Sequence, residues 1–128
     1  MIYLVDTHVL LWAALEPSRL SVDALTVLDD PEAGLMFSSA SIWEVAIKAS
    51  KGRADFRVDA RLLRRALLEN GYSELPISSE HAVAVADLPA RHGDPFDRIQ
   101  VAQARVEGLV FLTGDAVLAA YGSPVQLV

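Results

Sequence analysis

Four carboxylates, Asp6, Glu44, Asp97 and Asp115, stand where short apolar runs end or where the helices expected after them begin. In a parallel sheet those positions share one edge. Acids gathered on that edge repel one another by about 3 kcal/mol per pair at roughly 5 Å and an effective dielectric near 20, unless a cation lies between them. The chemistry expected is therefore that of a hard metal ion. Oxygen donors in a chain with no cysteine and only His8, His81 and His92 suit Mg2+ or Mn2+ better than Zn2+ or copper. Each histidine is read as structural or exposed rather than as a ligand.

Every one of these acids also has an ordinary explanation. Asp6, before Thr7, and Asp115, after Thr113 and Gly114, could simply cap helices. In D-P-F-D, Asp94 reads as the helix cap and Asp97 as a first-turn acid favoured by the helix dipole; Asp94 could also stand behind the metal-binding acids. Glu44 lies one turn before Lys48, where an exposed ion pair of about 0.3 kcal/mol would account for it. Neither capping nor surface pairing requires four separate segments to deliver one acid each to the same edge. Metal binding does.

The elements that would position the acids follow from periodicity. Ile2 to Val5, Leu35 to Phe37, Leu75 to Ile77, Leu109 to Leu112 and Val125 to Val128 read as short strands, the third at an edge because of Pro76. Helices are expected between them. The first carries Val9, Leu10 and Ala13 inward; the second, capped by Ser21, carries Ala24, Leu25 and Leu28. The next, capped by Ser39 or Ser41, carries Ile42, Val45, Ala46 and Ala49. Asp59 caps another, with Leu62, Leu63, Ala66 and Leu67 inside; Ser78 or Ser79 starts a helix over about 80–87. Asp94 and Pro95 open the last long one, with Phe96, Ile99, Ala102 and Val106 as its inner stripe, and Asp115 starts a short one. Alternating strands and helices imply a three-layer α/β/α fold around a mainly parallel central sheet, as one domain over residues 1–128.

Composition narrows the rest. With 128 residues, 52% of them hydrophobic, the chain is long enough for a single core. The opening apolar run is broken by Asp6 and preceded by no basic residue, so it is not expected to be a signal peptide. No stretch reaches the roughly 18 apolar residues of a membrane span, and the lack of cysteine agrees with a reducing cytoplasm. A net charge of -6 argues against a general nucleic-acid binder, yet residues 48–65 hold seven basic side chains against two acidic ones, a local balance of +5. Lys48, Lys51, Arg53, Arg57, Arg61, Arg64 and Arg65 could grip phosphates, bind an acidic partner or form only a solvated face. Arg98, beside Asp97, could reach a phosphate or a neighbouring acid. Trp12 and Trp43 read as core or interface anchors.

The segments I-Y-L-V-D-T-H, S-S-A-S-I-W-E-V-A-I-K, H-G-D-P-F-D-R-I-Q-V-A-Q-A and F-L-T-G-D, in that order, resemble a PIN-domain ribonuclease, closest to the VapC-type toxins of bacterial toxin-antitoxin pairs. The resemblance spans almost the whole chain. It implies that Asp6, Glu44, Asp97 and Asp115 form the acidic metal-binding set, with Thr113 as the hydroxyl of the last motif; beside it, Thr7 and Asp94 are supporting candidates from their positions in the sequence. It also implies metal-dependent cleavage of RNA, inhibition of growth, a homodimer and a cognate antitoxin partner. Two other readings stand beside it. One is a receiver-like Mg2+-binding signalling domain, although only Asp6 follows the first strand and no Lys occurs beyond Lys51. The other is a catalytically inactive PIN module that only binds the antitoxin.

Overall fold

A computed structural model describes residues 1–52, 57–90 and 93–128 of the chain. Arg53 of the expected phosphate-binding set and His92 lie outside the described residues. Five strands, β1 (Ile2–Val5), β2 (Gly34–Ser38), β3 (Ser73–Leu75), β4 (Val110–Thr113) and β5 (Val125–Leu127), form one sheet in the order β3-β2-β1-β4-β5. Every pairing is parallel. The helices are α1 (Thr7–Leu15), α2 (Val22–Leu28), α3 (Ser39–Ser50), α4 (Ala60–Glu69), α5 (Ser79–Ala84) and α6 (Pro95–Glu107).

Strand residues alternate faces, and the two faces bury different sets. Leu4 and Phe111 pack with Val101, Ala102, Ala104, Leu109 and Leu118 on one side. Val5 and Phe37 pack with Val9, Leu10, Val45, Leu63 and Leu67 on the other. Helices thus cover both faces, which is the expected three-layer α/β/α arrangement. Each fully buried Leu or Phe contributes about 1.5–3 kcal/mol. Gly108 ends α6 with φ 69°, and the Leu109 amide turns back to the Ala104 carbonyl at 2.9 Å, so β4 follows without a loop.

Several local expectations are corrected. Ser38, not Ser39 or Ser41, caps α3 by accepting the Ala40 amide. β3 stops before Pro76, which has no N–H to offer the ladder. The 80–87 helix is divided into α5 and a 3-10 turn over Val85–Asp87, and Asp115 opens a turn before a 3-10 segment at Leu118–Tyr121. Leu62 is exposed, as is Leu25, which lines a groove with Ala13, Leu28 and Tyr72. In α6 the buried residues are Gln100, Val101, Ala102, Gln103 and Ala104 rather than Phe96, Ile99 and Val106. Two glutamines take core places there because their amides find buried partners, as described below.

The chain winds from β1 outward to β3, then returns to lay β4 on the other side of β1. That reversal opens a crevice at the carboxyl ends of β1 and β4, where open α/β sheets bind ligands. The order also differs from that of receiver domains, in which β1 lies between β2 and β3.

Candidate active site

Asp6 leaves β1 at this crevice. Its amide donates to the Leu112 carbonyl at 2.9 Å, so the register sets Thr113 beside it. Thr113, fully buried, donates its hydroxyl to Asp6 Oδ2 at 2.7 Å and accepts the Asp115 amide at 3.0 Å. One threonine therefore ties two of the four acids together.

The capping explanation fails for Asp6. It occupies the cap position of α1, yet its side chain makes no capping hydrogen bond. The carboxylate is 2% exposed, and Oδ1 is buried with no hydrogen-bond partner. Burial pushes its pKa from 3.8 up to about 6 and the Asp97 charge adds to the shift, while the Thr113 hydroxyl, His8 and the Thr7 amide oppose it. An unpaired buried carboxylate oxygen costs stability in proportion to its lost hydration.

Glu44 repeats the pattern on α3. Lys48 approaches its Oε2 at 2.8 Å, so the expected ion pair exists, but the glutamate side chain is only 3% exposed. Glu44 Oε1 is buried without a partner. The exposed surface pair foreseen from spacing is in fact a largely buried one, whose desolvation is repaid only in part by a single lysine contact.

Asp97 and Asp115 are placed differently. Asp94 caps α6, accepting the Phe96 and Asp97 amides at 2.8 and 3.3 Å, which confirms its ordinary role. Asp97, half buried in that first turn, is close enough to Asp6 to raise its pKa. Asp115 is exposed, and its Oδ1 accepts the Val117 amide at 2.9 Å, so here the local-turn explanation holds. As the side chains stand, no group of three or more His, Asp or Glu among the described residues converges closely enough to hold a metal ion. The close grouping is Asp6 with Asp97, joined through Thr113 to the Asp115 backbone; Glu44 is turned to Lys48.

The donor chemistry nevertheless fits a hard cation. Two buried carboxylate oxygens lack partners, all the candidate donors are oxygen, and Mg2+ commonly takes one or two carboxylates and keeps several waters.

The basic residues divide. Lys51, Arg57, Arg61, Arg64 and Arg65 are exposed, with Arg64 contacting Glu74 at 3.3 Å. Lys48 serves Glu44. Arg98 is committed elsewhere: its guanidinium donates to the carbonyls of Pro89 and Val85 and to the Tyr121 hydroxyl, pinning the segment before α6 instead of facing an open phosphate path. Trp43 is 60% exposed and meets Phe96 edge-on at 5.2 Å, so it is no core anchor. Thr7 is buried, with its hydroxyl 2.8 Å from that of Ser41. Sequence reasoning missed Ser38, Ser41, Gln100 and Gln103 as buried polar residues; the available signal was two glutamines three apart on one helix.

The PIN domain family profile matches residues 3–123. The chain belongs to the PIN domain family. Its fold is similar to that in VapBC2 from Rickettsia felis, a structure bound to a DNA fragment from their promoter, at 15% identity and a TM-score of 0.72 over 100% of this chain and 98% of that one. It is also similar to a toxin-antitoxin complex from Klebsiella pneumoniae, at 20% identity and a TM-score of 0.63 over 97% and 95% of the two chains. VapBC-1 from nontypeable Haemophilus influenzae gives 19% identity and a TM-score of 0.60 over 100% and 97%. No curated protein matches. Family and strand order together set aside the receiver-like reading. Among the described residues, no helix of this PIN domain is long and apolar enough to cross a membrane.

Proposed function

We propose that this PIN domain is a Mg2+-dependent endoribonuclease acting as the cytoplasmic toxin of a toxin-antitoxin pair, active as a homodimer and neutralised by a cognate antitoxin. The observation that carries the catalytic reading is the pair of partnerless buried oxygens, Asp6 Oδ1 and Glu44 Oε1. Likeness of fold to chains of toxin-antitoxin complexes supports the toxin and the antitoxin partner.

Asp6, Glu44, Asp97 and Asp115 would hold Mg2+, or Mn2+ in its place. The bound ion supplies a water of lowered pKa and offsets charge on the phosphodiester oxygens, so no nucleophilic side chain is needed. The chain's own residues prepare that site. Thr113 occupies Asp6 Oδ2 and leaves Oδ1 open, Lys48 does the same for Glu44 Oε2, and Asp94 holds the start of α6 beneath Asp97. The exposed arginines of α4 supply the phosphate-binding surface for RNA, a role that their charge and exposure support.

The test is cleavage of cellular RNA by the purified protein with Mg2+, with EDTA, and in the Asp97→Asn variant. Equal cleavage in all three overturns the metal nuclease; absence of growth arrest on induction without antitoxin overturns the toxin assignment alone.

A further inference from the structure

The three helices that carry Asp6, Glu44 and Asp97 meet in a closed polar triangle. Thr7, first residue of α1 and next to Asp6, places Oγ1 2.8 Å from Ser41 Oγ. Ser41, one turn before Glu44 on α3, donates to Gln100 Oε1 at 3.2 Å. Gln100, one turn after Asp97 on α6, returns Nε2 to Thr7 Oγ1 at 3.4 Å. All three side chains are buried, with exposures of 1% or less.

The direction of these bonds is determined. Gln100 Nε2 also donates to the Phe96 carbonyl at 3.0 Å, and exchanging the amide's oxygen and nitrogen would set two carbonyl oxygens against each other. With the amide so oriented, Ser41 must spend its one proton on Gln100 Oε1. Thr7 must then donate to Ser41. Each hydroxyl gives one bond and receives one, and both amide protons are used. No other rotamer of the two hydroxyls satisfies the ring, and a buried polar group left unmatched costs about 1–3 kcal/mol.

The geometry points to Gln100 as a positioning residue of the acidic site: through Thr7 and Ser41 it holds in mutual register the starts of α1, α3 and α6, the elements that begin after Asp6 or carry Glu44 and Asp97. The inference rests on the metal-site reading above. It assigns Gln100 no contact with metal or RNA. A second buried glutamine, Gln103, supplies the natural comparison. It lies on the same helix, accepts from Ser38 Oγ at 2.6 Å and donates to the Leu75 and Pro76 carbonyls, apart from the triangle.

Mn2+ binding, read by electron paramagnetic resonance on the intact protein, separates positioning from packing. Gln100→Met is expected to weaken Mn2+ binding about 10-fold, the lower end of the range for groups bonded directly to metal ligands, because it acts through Thr7 and Ser41. Gln103→Met is expected to lower the melting temperature comparably and to leave Mn2+ affinity within about twofold of wild type. Should Gln100→Met not fold, Thr7→Val and Thr7→Ser decide: loss of the hydroxyl weakens Mn2+ binding and its retention restores it. Equal Mn2+ affinity in wild type, Gln100→Met and Thr7→Val, or an equal loss in Gln103→Met, overturns the positioning role while the metal site stands. Failure of the wild type itself to bind Mn2+ removes the metal reading and the positioning role with it.

Discussion

Replacing Asp6 by Asn should stabilise this protein, and by an amount that depends on pH. The folded-state pKa of Asp6 is raised to about 6, against 3.8 for the ordinary group. Between those values the folded chain holds a proton that the unfolded chain has lost. Stability is thus fully present below about pH 3.8 and falls as pH rises through about 6. The complete loss is about 3 kcal/mol, from 1.36 kcal/mol per pKa unit. At pH 4 only a small part of it has accrued. Asparagine does not titrate, and its fixed cost, a buried amide in place of the partnerless Oδ1, is the same at every pH. The difference in unfolding free energy between Asp6→Asn and wild type should therefore grow by roughly 2–3 kcal/mol in favour of the variant from pH 4 to pH 7.5. Urea titrations at both pH values, in EDTA, measure it directly. Parallel pH profiles for the two proteins would refute the claim that burial beside Asp97 strains Asp6. Millimolar Mg2+ at pH 7.5 should then stabilise the wild type and not the variant, by mass action on the ionised site.

Other consequences follow from the same contacts. Thr113→Val preserves shape but removes the hydroxyl that favours ionised Asp6, so the Asp6 pKa should rise further, as carboxylate NMR on the metal-free protein would register; an unchanged or lower value contradicts the assigned bond. Lys48→Met leaves the Glu44 carboxylate buried without its cation and should cost about 1–3 kcal/mol in urea unfolding, an effect that vanishes in the Glu44→Gln background if the pair is its source. Arg98→Met should lower the melting temperature by loosening Pro89, Val85 and Tyr121 while RNA affinity stays level; a selective loss of RNA binding would restore it to the phosphate path. Replacing Arg61 and Arg65 together by Gln should reduce the salt dependence of RNA binding by about one unit of slope per lost phosphate contact, and an unaltered slope places the RNA elsewhere.

Much of the fold was legible because the buried strands are uninterrupted apolar runs and the turns carry strong signals: Ser21, Asp59 and Asp94 cap the helices expected of them, and Pro76 marks an edge strand. What was not legible was long-range pairing. The inner stripe of α6 was misread because hydropathy assigns Gln to the surface. Gln100 and Gln103 are inside only because Thr7, Ser41, Ser38 and the Leu75 and Pro76 carbonyls, 27 to 93 positions away, meet their amides. Leu62 and Leu25 erred in the opposite direction: helical spacing identifies a face and not where the packing against it ends.

The acids illustrate a finer limit. Asp6 and Asp115 follow buried strands and precede helical turns, and spacing offers both the same capping explanation. The structure separates them by what the adjacent threonine does. Thr113 gives its proton to Asp6 and its lone pair to the Asp115 amide, while Asp115 accepts the Val117 amide. One hydroxyl thus leaves one carboxylate an ordinary turn residue and partly offsets the burial of the other, whose second oxygen stays unmatched. An unmatched buried oxygen lowers stability, a cost that the proposed cation would relieve, and the pH and Mg2+ dependence of Asp6→Asn decides whether it does.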